Sequence, residues 1–123
     1  IAQLNRSTLA IPQPEAKEPA MPPVLFVVKA TITPDQEEAF NRWYESEHCP
    51  QLLRFNGAVS AKRYKRLLGD DKWHYQAHYE FVDEVTFERF LESEEFAQLK
   101  REYEANFGAL SERERSAYVQ VWP

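Results

Sequence analysis

Val24 to Ile32 reads VLFVVKATI, and the next four residues are Thr33-Pro34-Asp35-Gln36. The first run is β-branched and apolar with little alternation, as in a strand covered on both faces. The second opens a helix. Thr33 can cap it, Pro34 suits its first position, and Gln36 can reach back to close a capping box. Apolar and aromatic residues then recur at helical spacing, placing Phe40, Trp43, Tyr44, Glu47 and His48 on one face. Pro50 is expected to stop this helix, because its ring clashes with the carbonyl of Ser46 and disfavours the α region at Cys49. A strand followed directly by a capped amphipathic helix is the first half of a strand-helix-strand unit.

Working outward, Leu52, Leu53 and Phe55 give a short apolar cover, and Asn56-Gly57 is a turn signal. Ala58 to Leu67 alternates as a strand, Gly69-Asp70-Asp71 makes the hairpin turn, and Lys72 to Val82 returns. On the return strand Trp73, Tyr75, Ala77, Tyr79 and Phe81 share one face, and His74, Gln76, His78 and Glu80 share the other. Asp83 can cap a second helical region carrying Phe87, Phe90 and Leu91. After a break at Ser93-Glu94-Glu95 it continues with Phe96, Leu99, Tyr103 and Phe107. Tyr118 to Trp122 reads as a final short strand. The order βαββαβ, with right-handed crossovers, puts the helices on one face of a four-stranded antiparallel sheet, the α+β ferredoxin-like arrangement. The first strand is apolar on its second face too, so sheet-on-sheet pairing into a homodimer is expected.

The chain has 123 residues, one domain's worth. Five of its eight prolines fall at Pro12, Pro14, Pro19, Pro22 and Pro23. Residues 1–22 are therefore read as a proline-rich arm or extension, lying across a neighbouring subunit or preceding a start at Met21, with the domain proper at 23–123. A net charge of −5 without a basic run argues against nucleic-acid and anionic-membrane partners. No stretch approaches the ~20 apolar residues of a membrane span. The single cysteine, Cys49, excludes an internal disulfide framework and fits a reducing cytoplasm. Three glycines and no phosphate loop argue against a nucleotide-dependent enzyme, and the reading calls for no cofactor.

Phe40-Asn41-Arg42-Trp43-Tyr44-Glu45-Ser46-Glu47-His48-Cys49-Pro50, then Gly57, then Ala61-Lys62-Arg63-Tyr64, resembles the dimeric α/β-barrel superfamily, in its EthD-like and stress-responsive branch. The resemblance covers roughly residues 24–122. Asn56-Gly57 replaces the Pro-Gly usual before the second strand, a difference in a turn more than in a site. The superfamily includes cofactor-free monooxygenases, polyketide cyclases, lactone isomerases, haem-degrading enzymes and proteins of unknown role. The resemblance therefore implies a dimeric barrel around a small-molecule pocket.

His48 is the first candidate for chemistry. At a helix end beside Glu47 it should be easily protonated near neutral pH, as a general acid or base requires. The plainer alternative is a helix-terminal histidine that bonds the last carbonyls. His78 is the second candidate, if the polar face lines a cavity with Gln76. Tyr44 can offer its hydroxyl to a carbonyl, with Trp43 and Phe40 as apolar walls, although such a stripe also serves as core. Arg63 and Tyr64 fall on opposite faces, and Arg63 can hold a carboxylate or enolate, or else pair with a helix glutamate. A shared metal at His74 and His78 is not expected, since i, i+4 on a strand spans about 13 Å. The composite expectation is a cofactor-independent enzyme moving a proton beside the carbonyl of a small apolar, aromatic or polyketide-like molecule, through isomerisation, cyclisation, decarboxylation or elimination. His48, Tyr44 and His78 would act, and Trp43, Phe40, Glu47, Arg63 and Gln76 would bind. The alternatives are a cofactor-free monooxygenase and a non-catalytic binding dimer.

Overall fold

The computed structural model describes residues 21–123, so nearly all of the expected arm at 1–22 lies outside the described residues. Strands β1 (Val24–Ala30), β2 (Ala58–Lys65), β3 (Tyr75–Phe81) and β4 (Arg113–Val119) form one antiparallel sheet in the order β2-β3-β1-β4. Helices α1 (Glu37–Trp43), α2 (Cys49–Leu53), α3 (Glu84–Leu91) and α4 (Glu94–Phe107) cover one face. This is the α+β ferredoxin-like fold expected from the sequence.

Period-two burial explains the sheet. Val24, Phe26, Val28 and Ala30 of β1, and Tyr75, Ala77, Tyr79 and Phe81 of β3, all turn to the helices and are buried. Phe40, Tyr44, Phe87, Phe90, Phe96, Leu99, Tyr103 and Phe107 meet them from above. Phe90 packs its ring 4.8 Å from both Phe81 and Phe96. The opposite face pairs Leu25 with Glu80 and Tyr118, Val27 with His78 and Ser116, and Lys29 with Gln76 and Glu114. Among the described residues no helix lies over that face.

Local expectations hold at the second helical region. Asp83 caps α3 by accepting from the Thr86 amide at 2.8 Å, and the break falls at Ser93, whose side chain, not singled out as a cap in the sequence, caps α4 by accepting from the Phe96 amide at 3.1 Å. Gly57 turns the chain at φ +104°, where a Cβ would run into the Thr86 methyl.

Three expectations fail. Thr33 makes no capping bond, and its buried hydroxyl has no partner; Pro34–Gln36 is instead a tight 3₁₀ turn. Pro50 does not end the first helix. Tyr44–His48 widens into a π turn, in which the Cys49 amide reaches back to the Tyr44 carbonyl, and the helix continues to Leu53. The wider turn absorbs the missing donor and the ring of Pro50. Finally, the last strand is Arg113–Val119, not Tyr118 to Trp122, and Trp122 is largely exposed.

Candidate active site beneath the first helix

Four residues take α1 past one turn, from Phe40 to Tyr44, and overshoot slightly. The π turn needs more residues per revolution, so the next four-residue step, to His48, falls back into line. Phe40, Tyr44 and His48 are all buried, whereas Glu47 is exposed. The expected binding role of Glu47 is therefore corrected: the widened turn carries it to solvent. His48 stacks on Trp43 at 4.5 Å and meets the edge of Tyr44 at 5.0 Å. It is 8% exposed, and its Nδ1 is buried without a hydrogen-bond partner.

That environment overturns the expectation of an easily protonated imidazole. Burial, then the positive charges of Arg113, Arg63 and Arg115, push the His48 pKa down to about 4. The helix-end argument fails because the helix does not end there. Tyr44 and Tyr79 are held protonated, both chiefly by burial. Cys49, half-buried, donates weakly to the Tyr79 hydroxyl at 3.9 Å, and burial raises its thiol pKa.

His48 lines a narrow cavity of about 20 Å³ between the first helix and the sheet. Tyr44 and Tyr79 supply hydroxyls there; Phe26, Val28, Leu52, Phe96 and Leu99 supply apolar wall; Lys100, Arg113 and Arg115 supply positive charge. Arg113 lies 3.8 Å over the Tyr103 ring and bonds Glu104 at 3.0 Å. Lys100 sits 4.4 Å and Arg115 5.8 Å from the Phe96 ring centre, and among the described residues neither pairs with a carboxylate. Burial, with Arg113 beside it, lowers the Arg115 pKa.

The expected constellation is thus only partly assembled. Phe40, Trp43, Tyr44 and His48 come together. Arg63 approaches the same cluster from β2, its guanidinium 4.1 Å over Tyr44 and 4.9 Å over Tyr75. It donates to the Asn41 Oδ1 at 2.8 Å, not to a helix glutamate, and its Nε is buried without a partner. Gln76 and His78 lie on the other face of the sheet, bonded to each other at 2.8 Å, with the His78 ring 4.6 Å from Tyr64. A β-sheet separates them from His48, so the expected meeting of the two histidines does not occur. Partial burial lowers the His78 pKa.

Sequence reasoning missed Tyr79, Lys100, Arg113 and Arg115. The signal for the arginines was alternation through Arg113, Arg115, Ala117 and Val119, hidden by the charge of an edge strand. A larger open groove of about 700 Å³ lies between α1 and β2. Within it Glu37 accepts from the Tyr75 hydroxyl and pairs with Lys65 at 3.2 Å, which closes one end of the groove to a ligand charge. Among the described residues no group of three or more His, Cys, Asp and Glu could hold a metal ion, and no helix is long and apolar enough to cross a membrane.

Residues 23–115 match the model of a family described as a domain of unknown function, DUF4286. The chain belongs to that family. No curated protein matches it. Among solved structures, an ethyl tert-butyl ether D (EthD) family protein from Bacillus halodurans C-125 superposes with TM-score 0.59 at 15% identity, over 78% of this chain and 97% of that one. A dabb family protein with a ferredoxin-like fold from Mesorhizobium loti gives TM-score 0.62 at 10% identity, over 83% and 100%. SnoaB from Streptomyces nogalater, a cofactor-independent oxygenase, gives 0.58 at 21% identity, over 83% and 96%. These likenesses establish the fold, and they agree with the EthD-like resemblance read from the sequence.

Proposed function

We propose that this DUF4286 domain is a cofactor-independent enzyme that moves a proton beside the carbonyl of a small, largely apolar molecule bound beneath the first helix. The observation that carries this reading is the buried, neutral imidazole of His48 with its unpartnered Nδ1, set beside protonated tyrosines and three cations. A neutral imidazole is a base. The C–H electron pair collapses toward the carbonyl, the proton passes to His48, and the enolate oxygen takes hydrogen bonds from Tyr44 or Tyr79 and charge from Arg113 and Arg115. Return of the proton to a different carbon completes an isomerisation; in a cyclisation the enolate carbon attacks a second carbonyl, whose π pair moves to its oxygen, and that alkoxide takes the proton back from His48. Trp43 and Phe40 hold the imidazole and Tyr44 in place, and Arg63 supplies positive charge from behind.

The test is exchange of α-protons for deuterium in small aryl ketones and β-dicarbonyl compounds, followed by NMR. The native chain is expected to exceed His48→Ala by about 100-fold or more. Undiminished exchange in His48→Ala, or no exchange above buffer, rejects the reading.

A homodimer through the open sheet face goes with this proposal. Leu25, Tyr64 and Tyr118 give that face its apolar surface, and Gln76 and His78 would serve the contact and not the chemistry. A second reading, oxygen insertion without a cofactor, is favoured by the fold shared with SnoaB and by the aromatic walls of the cleft. Oxygen consumption with an electron-rich aromatic substrate distinguishes it.

A further inference from the structure

Three cations around one small cavity form an unbalanced arrangement. Arg113 has Glu104 as counter-charge, and its guanidinium lies over Tyr103. Among the described residues Lys100 and Arg115 hold their charged heads over the Phe96 ring and form no ion pair. Exposed cations commonly lack partners, because water solvates them. Here, however, both line a cavity whose inner end is a nine-tenths buried imidazole with an unsatisfied nitrogen. Two independent features, cations on an exposed edge strand and helix and an unpartnered buried imidazole nitrogen, thus line one cavity. Of the acidic residues of α4, Glu94 pairs with Arg101, Glu102 accepts from Gln98 and Glu104 pairs with Arg113, reaching Arg115 only as a more distant charge.

We propose that the cleft takes a small flat carboxylate, its charge received by Arg115 and Lys100 at the mouth and its apolar body lying between Phe96 and the ring of Tyr44. This deepens the proposed function, on which it rests only for the choice of cleft. The space present holds about one water. The ligand body consequently takes the place of the Lys100 ammonium and the Arg115 guanidinium over Phe96, and both heads lift to clasp the carboxylate. Long unbranched stems allow that movement without displacing the backbone. The body that follows is no larger than about one ring, because Leu52, Leu99 and Phe26 close the cavity.

The test uses sodium benzoate as the charged probe and benzamide as its uncharged counterpart, titrated at neutral pH into the whole chain with histidine resonances followed by NMR. Benzoate is expected to shift the His48 resonances saturably, leaving those of His74 and His78 in place. Benzamide is expected to bind at least about tenfold more weakly, and Arg115→Gln to weaken benzoate about tenfold, as loss of a charge-assisted hydrogen bond does. Lys100→Gln provides an independent reading at the same mouth and is expected to act in the same direction. No saturable shift at His48, equal binding of benzamide, or native benzoate affinity in both variants overturns the proposal. Its failure is separable from that of the catalytic reading. Benzoate binding without proton exchange on any ketone removes the catalysis and leaves the carboxylate site. Exchange on neutral ketones without benzoate binding does the reverse.

Discussion

His48 makes the stability of this domain depend on pH in a way that can be worked out. Its pKa is about 4 in the folded chain against 6.5 for an unperturbed imidazole. The unfolded chain therefore binds the proton first as the medium is acidified. The stability that His48 contributes by staying neutral is whole above the unfolded value and is lost as pH falls through the folded one. The full shift corresponds to about 3 kcal/mol, and the part lost between pH ~7 and ~5 to about 2 kcal/mol. Urea unfolding across that range, on the native chain and on His48→Gln, isolates the effect, because every other titrating group is common to both. The native chain is expected to lose about 2 kcal/mol more than the variant over the interval. Equal slopes would refute the claim that the imidazole is held neutral. An NMR titration showing His48 protonated near pH ~6 would refute it as well.

Other outcomes follow from the same packing. Arg63→Met removes one of the charges facing His48, so the His48 pKa is expected to rise, read by the same NMR titration. Gly57→Ala is expected to cost about 3 kcal/mol in urea unfolding, from the left-handed backbone and the collision with Thr86, and Thr86→Ser to recover part of it. Ser93→Ala, which removes the cap of α4, is expected to cost about 1 kcal/mol. Leu25→Glu places a charge on the open sheet face and is expected to lower the sedimentation coefficient to that of a monomer; an unchanged coefficient at dimer mass moves the interface elsewhere.

The fold was legible because its elements announce themselves at short range. Asp83 and Ser93 precede apolar helical runs, Gly57 and Gly69 mark reversals, β3 buries alternate residues, and β1 is an apolar run broken only by Lys29. Half of the site was legible for the same reason: Phe40, Tyr44 and His48 repeat along one helix. The rest required knowledge of what lies over what. Pro50 reads as a stop, yet a π turn, which costs nothing visible in the composition, lets the helix run on. That single irregularity sends Glu47 to solvent and removes the helix end that would have charged His48. Arg113 and Arg115 went unread in the sequence, because their guanidinium groups lie on Tyr103 and Phe96, rings some ten to twenty positions earlier in the chain. Stacking of a guanidinium on an aromatic face leaves no local pattern.

The depressed basicity of His48 and the uncompensated charge at the mouth are two sides of one electrostatic arrangement. Protonating the imidazole in the empty cleft adds a fourth positive charge to Lys100, Arg113 and Arg115, with Arg63 behind them. A weak base in this state protects no proton and wastes none on water. An anionic ligand at the mouth changes the sum. Its charge partly cancels Arg115 and Lys100, so the imidazolium becomes tolerable when the ligand is present and when negative charge develops on an enolate oxygen. A base with pKa near 4 is slow to take a proton from carbon, whereas one restored toward 6.5 lies close to the range in which general bases work best. Benzoate should therefore raise the His48 pKa as well as bind near it, and should do so less in Arg115→Gln. Binding that leaves the titration of His48 unmoved would uncouple the two, leaving an anion pocket beside a histidine whose role is to pack against Trp43.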